Sequence, residues 1–191
     1  MIGRLNGKLI EKNPTDLLIE CAGVGYEVKI SLNTFSALSD NEQIKIFTKL
    51  IVREDANLLY GFHSKEEKEM FNQLISVSGI GPNTAMIMLS SLTPNEIARA
   101  IQNEEVNIIQ SVKGIGAKTA QRVIVDLKGK SMLVEASTQN LTDKSNTIHF
   151  DALTALVSLG FDKRAAERAL SKATPETKTV EGLIKEALKV L

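Results

Sequence analysis

The chain has 191 residues, 43% of them hydrophobic and 24% charged, which is apolar material for one ordinary domain or two or three small cores. Its formal net charge of +0 excludes a uniformly basic surface, so any contact with nucleic acid must be local. A single cysteine, Cys21, with His63 and His149 as the two histidines, excludes an internal disulfide and a cluster of soft metal ligands; no metal or other cofactor is expected.

No run of about 18 apolar residues is present to span a membrane. The opening Met1-Ile2-Gly3-Arg4 passes into alternating sequence rather than an apolar signal core, so a cytoplasmic protein without a membrane partner is expected. Cys21, in the apolar run "LLIECA", reads as a small core residue.

From Met1 to Phe62 the apolar residues alternate, as in Tyr26, Val28, Ile30 and Leu32 with Glu27, Lys29 and Ser31 between them, the mark of strands with one buried face. "IGRLNGKLIE", "DLLIEC", "YEVKISL", "QIKIFTKLIV" and "NLLYGF" give five strands, separated by turn chemistry at Asn13-Pro14-Thr15-Asp16 and Gly23-Val24-Gly25. The count fits an oligonucleotide-binding (OB)-like β-barrel over residues 1–63.

At Ser64 the period changes to 3.6. Ser64 with Glu67 forms a capping-box pattern, and Phe71, Leu74 and Ile75 then share one face. Thr93-Pro94-Asn95-Glu96 opens a further helix carrying Ile97 and Ile101, and Asn103 is placed to cap the next, which holds Ile108 and Val112. Residues 64–134 therefore form a helical domain, and inside it the chain repeats itself: "SVSGIGPNTAMIM" at 76–88 and "SVKGIGAKTAQRV" at 111–123 share Val, Gly-Ile-Gly and Thr-Ala at one offset. The polar stretch "EASTQNLTDKSNT" has no usable period and reads as a flexible linker at 135–147. Beyond it, apolar positions from Leu153 to Leu191 fit a C-terminal three-helix domain at 148–191. The fold class is thus α+β and multidomain.

A Gly-apolar-Gly turn between helices has a chemical consequence. Glycine permits positive φ and removes Cβ, so backbone N–H groups at the next helix start can approach a phosphate closely. The isoleucine between the glycines is expected to tuck inward and pin the turn. Gly79, Gly81, Asn83 and Thr84 in the first turn, and Gly114, Gly116, Lys118, Thr119 and Arg122 in the second, are the candidate phosphate-binding residues. A single such turn would read more simply as a helix C-cap; two copies favour a paired helix-hairpin-helix that grips duplex backbone without reading bases. "GKS" at 129–131 is not a P-loop, because Ile124 stands where the earlier glycine is required. Thr84 and Thr119 occupy the last position of a would-be G-x-G-x-x-G, which excludes a dinucleotide fingerprint.

With these parts in order, the whole chain resembles the RuvA family of bacterial Holliday-junction-binding subunits, through "MIGRL", "GVGYEV", "VREDANLLYGF", the two "GIG" hairpins, the linker and the last domain. The resemblance implies a non-catalytic homotetramer that holds an open four-way DNA junction for branch migration in recombination and repair. One tetramer or two, an octamer, could enclose the junction. It further implies recruitment of the RuvB ATPase through the C-terminal domain, and RuvC resolvase as another partner. The family commonly has lysine where this chain has Asn83, so the first hairpin would hold phosphate mainly through amides. Glu54 and Asp55 read as ordinary turn residues on their own; the resemblance makes them an acidic pin at the tetramer centre. "VSLGFD" at 157–162 resembles the first turn of ubiquitin-associated-like bundles, where Leu159 and Phe161 are either core residues, the commoner fate, or partner anchors. Two rivals remain from the residues alone: a DNA-glycosylase-type enzyme using Lys118 and Asp126, and a protein-interaction adaptor with purely structural hairpins.

Overall fold

The computed structural model describes residues 1–39, 42–139, 144–173 and 179–191, with side chains at all of these except 129–139, 144–147 and 150. The chain divides into two compact units, 1–131 and 132–191.

The first unit opens with five strands, β1 (Arg4–Lys12), β2 (Asp16–Cys21), β3 (Val24–Ile30), β4 (Gln43–Val52) and β5 (Asn57–Phe62). They close into a barrel in the order β1-β2-β3-β5-β4. Every neighbouring pair is antiparallel except β3 with β5, which runs parallel through Lys29↔Tyr60 and Ile30↔Gly61. The alternation puts Leu5, Leu17, Ile19, Val28, Ile30, Ile44, Ile46 and Leu59 in the barrel core, with Cys21 packed at its margin. The expected OB-like barrel is present.

Two local expectations change. The β2–β3 turn lies at Ala22 and Gly23, with φ of 51° and 81°, rather than at 23–25. A two-residue hairpin turn of this hand needs positive φ at both central positions, which frees Gly25 to pair with Glu20 in the strand. The third strand stops at Ile30, because Ser31 caps a six-residue helix, α1 (Leu32–Ala37), accepting from the Thr34 N–H at 3.0 Å.

Five helices follow: α2 (Lys65–Ile75), α3 (Pro82–Ser91), α4 (Pro94–Gln102), α5 (Val106–Gln110) and α6 (Ala117–Gln139). Thr93 and Glu96 form a complete capping box. Asn103 instead caps the C-terminus of α4, its N–H donating to Arg99 O at 2.9 Å, since the chain turns at Glu104 before α5 begins. The Ser64 box is half made. Ser64 Oγ accepts from the Glu67 N–H at 3.1 Å, but the buried Glu67 carboxylate turns away to accept from Ser31 Oγ and from Thr34 Oγ1 at 2.5 Å. Thr34 Oγ1 in turn accepts from the His63 N–H at 3.0 Å. One carboxylate thus ties α1, the end of β5 and the start of α2 together, and every group in the knot is satisfied.

Strand β5 serves two cores by alternation. Leu59 enters the barrel, whereas Tyr60 and Phe62 enter the helical core, with ring centroids 5.2 and 4.9 Å from that of Phe71 on α2. The barrel and the helices that carry the hairpins thus lie in one compact unit, with two hydrophobic cores on either side of β5.

The second unit holds α7 (Lys144–Ser158), α8 (Lys163–Lys172) and α9 (Val180–Leu188) around Ala152, Leu156, Ala166, Ala169, Leu170, Leu183 and Ala187. Helix α7 ends in a Schellman motif at Gly160, φ 98°, with Gly160 N–H to Val157 O and Phe161 N–H to Leu156 O. Leu159 is 63% exposed and Phe161 37%, so the core reading of these two fails: the left-handed cap turns the chain outward as the small core is filled by alanine and leucine from the helices. Of the polar stretch 135–147, backbone up to Gln139 continues α6 and backbone from Lys144 belongs to α7, while 140–143 lie outside the described residues.

Replacing Glu67 by Ala strands the Ser31 and Thr34 hydroxyls in the core. The expected loss is about 2–3 kcal/mol in urea unfolding, with an unchanged m value.

Candidate nucleic-acid interface

The two repeated stretches fold alike. In the first, α2 ends at Ile75, the chain reverses through residues 76–81 and α3 begins at Pro82; in the second, α5 ends at Gln110 and α6 begins at Ala117. Gly79 and Gly114 have φ of 95° and 92°, a region that L side chains rarely adopt. The expected inward isoleucines are there, Ile80 at 5% exposure and Ile115 at 6%. Their N–H groups donate to Val77 O and Val112 O at 3.1 Å each, and both valines are buried beside them.

Pinning the turn in this way turns its other face outward. Gly81 and Gly116 have no atom within 4 Å of an ideal Cβ and lack positive φ. The first intrahelical bonds are Ala85 N–H to Gly81 O at 3.0 Å and Ala120 N–H to Gly116 O at 2.9 Å. N–H groups ahead of them therefore have no partner inside the helix: Asn83 and Thr84 on α3, and Ala117, Lys118 and Thr119 on α6. Open space, N–H donors without a helix partner and the positive end of a helix dipole are the ingredients of an anion site.

The structure places the other candidates around these turns. Lys118 and Arg122 are exposed on α6, and Thr84 and Thr119 are half-buried at the first helical turns. Asn83 is exposed, but its Oδ1 accepts from Tyr60 Oη at 3.3 Å. Burial pushes the Tyr60 phenol above its ordinary range while the Arg53 charge pulls it down, so Tyr60 serves as a neutral donor that fixes the Asn83 amide. Arg122 Nη1 donates across to Ser78 O at 3.3 Å, a contact between hairpins that sequence spacing could not show.

Beside the second hairpin, Glu104 takes φ 56°, and its carboxylate accepts from Lys128 on α6. That hydrogen bond and the lysine charge hold the carboxyl below its usual range. Glu54 and Asp55 are exposed at the tip of the β4–β5 hairpin, where Arg53 N–H donates to Ala56 O at 2.9 Å. Among the described residues, no group of three His, Cys, Asp or Glu side chains could hold a metal ion. No helix among them is long and apolar enough to cross a membrane.

A closed five-stranded barrel continuous with paired helix-hairpin-helix turns defines a class of DNA-binding scaffold. Comparison with known families narrows it: the chain matches the RuvA N-terminal domain over residues 1–61, a SAM-like helix-hairpin-helix tandem over 71–129 and the RuvA C-terminal domain over 149–191. It is 52% identical to the Holliday junction branch migration complex subunit RuvA of Christiangramia forsetii, and 51% and 49% identical to the proteins so named in Flavobacterium psychrophilum and Cytophaga hutchinsonii, with all of each chain covered. The chain belongs to the RuvA family of Holliday junction branch migration complex subunits.

The turns generate a stability prediction. Gly79→Ala and Gly114→Ala force an L residue into the left-handed region and should each cost about 1–2 kcal/mol. Gly81→Ala and Gly116→Ala add a methyl to open space at ordinary φ and should leave thermal unfolding within about 0.5 kcal/mol of the parent. Equal losses at all four positions would contradict the turn geometry.

Proposed function

We propose that this chain is a non-catalytic subunit that binds four-way DNA junctions without sequence specificity, holds them open and recruits the RuvB ATPase for branch migration in recombination and repair. The observation that carries the reading is the pair of matching turns, each with positive φ at its first glycine, a buried isoleucine and unpartnered helix N–H groups facing open space. Each turn takes one phosphate on its amides. Two turns side by side take the two backbones of a duplex arm, and base identity does not enter because only phosphate is touched.

Gly79, Gly81, Asn83 and Thr84 line the first site, and Gly114, Gly116, Lys118, Thr119 and Arg122 the second. A homotetramer, doubled to an octamer where two enclose one junction, brings four such pairs to four arms. The C-terminal domain, with Leu159 and Phe161 exposed, engages RuvB, and RuvC acts on the same junction. The protein works in the cytoplasm.

The glycosylase alternative needs Lys118 and Asp126 to act on one base. They stand eight residues apart on α6, about 12 Å along its axis, too far to share a reacting atom.

At the tetramer centre Glu54 and Asp55 act as an acidic pin. A carboxylate within a Debye length of roughly 8 Å repels phosphate at physiological salt, so continuous duplex is discouraged from lying across the face while a junction steers its strands around it. The test is binding of labelled four-way junction and of linear duplex, side by side over a salt series. The parent should prefer the junction with a steep salt dependence. Glu54→Gln with Asp55→Asn should leave junction affinity equal or greater and shrink the preference several-fold, because duplex gains most. Salt-independent binding would refute the phosphate reading, and an unchanged ratio the pin.

A further inference from the structure

The two turns share a backbone but not a charge. At matching places, Ser78, Pro82, Asn83 and Ile87 of the first stand where Lys113, Ala117, Lys118 and Arg122 stand in the second. All three cations are exposed, while the first turn has a hydroxyl, an amide already held by Tyr60 and a 44%-exposed isoleucine. Pro82 also brings no N–H, so the first site has one donor fewer than the second. By its own residues the first turn is a neutral and weaker phosphate site.

One contact offsets this. Arg122, carried by α6 of the second hairpin, reaches the carbonyl of Ser78, the residue immediately before Gly79. Its place on the first hairpin is filled by Ile87, so the motif itself does not demand a cation there. We infer that Arg122 is a cation shared by the two turns: the Ser78 carbonyl positions its guanidinium so that it supplies charge to the first phosphate site as well as to its own.

The inference rests on the phosphate-binding reading above and adds a coupling to it. Guanidinium presents five N–H donors in a planar fork. One is spent on Ser78 O, and the others remain to donate to phosphate oxygens, where a charge-assisted bond is about twice as strong as a neutral one. The carbonyl dipole draws the cation to the first turn, and phosphate holds it there. Loss of phosphate from one turn therefore weakens the hold on the other. Lysine in this place would keep the charge but has no fork with which to grip carbonyl and phosphate together.

A double-mutant cycle on the full chain tests this. Dissociation constants for a labelled four-way junction are measured over a salt series for Arg122→Ala, Arg122→Lys, Gly81→Ala, Gly116→Ala and each pairing of an Arg122 variant with a glycine variant. Circular dichroism verifies folding. Arg122→Ala should weaken binding about tenfold and reduce the salt slope by about 0.9 for each phosphate that it no longer neutralises. Combined with Gly81→Ala, and likewise with Gly116→Ala, it should fall short of the product of the single effects by about threefold or more. Arg122→Lys should keep the slope yet lose the coupling to Gly81. If Arg122→Ala and Gly81→Ala simply multiply while Arg122→Ala and Gly116→Ala do not, the arginine serves its own turn alone and the inference fails. It fails also if Arg122→Lys couples to Gly81 as the parent residue does. If folded Gly81→Ala and Gly116→Ala chains bind as tightly as the parent, the phosphate reading itself falls.

Discussion

An isoleucine held between two glycines is the constraint on which the interface depends. Burying Ile80 and Ile115 contributes about 2–3 kcal/mol each, and it can be realised only if the preceding glycine takes positive φ. Once the side chain is inside, the opposite face of the turn has nothing but backbone to show, and that backbone is donor-rich because a helix starts there. On the proposed reading, anion binding is thus a by-product of a packing requirement. Amide donors need no basic surface, so the proposed phosphate sites are compatible with a net charge of +0.

Support for those turns comes from outside the motif. The first hairpin begins on α2, whose N-terminus is tied through Glu67 to α1 and whose middle packs Phe71 on Tyr60 and Phe62 of the barrel. Tyr60 continues the chain of contacts by donating to Asn83 on α3. Barrel and first hairpin are therefore packed into one compact unit, residues 1–131, through these contacts. The second hairpin is braced differently, by the Glu104–Lys128 pair, an exposed contact worth little in stability but suited to fixing α6 against the corner before α5.

Much of this was legible in the sequence because it rests on periodicity and local turn chemistry. Alternation located all five strands, and the repeated Gly-Ile-Gly located both turns. The features that escaped are tertiary or very short. Six-residue α1 was hidden because Leu32 extends the alternating pattern of β3, although Ser31 with Thr34 offers a cap signal three residues apart. Glu67 could be seen as a capping residue but not as a buried anchor, since its partners lie more than 30 residues away. The parallel β3–β5 closure and the reach of Arg122 to Ser78 follow from topology, which spacing does not encode. At Leu159 and Phe161 residue type alone favoured burial, and a core already filled by smaller side chains decided otherwise.

On the proposed function, phosphate sits on the amides of both glycine turns. Hydrogen–deuterium exchange of the full chain, with and without a saturating four-way junction, addresses it directly, because those amides have no helix partner to slow them in the free protein. Peptides spanning 76–85 and 111–120 should gain protection together on adding the junction, and lose it together at high salt. Protection confined to the barrel or the C-terminal helices, with both turns exchanging as in the free chain, would contradict the account.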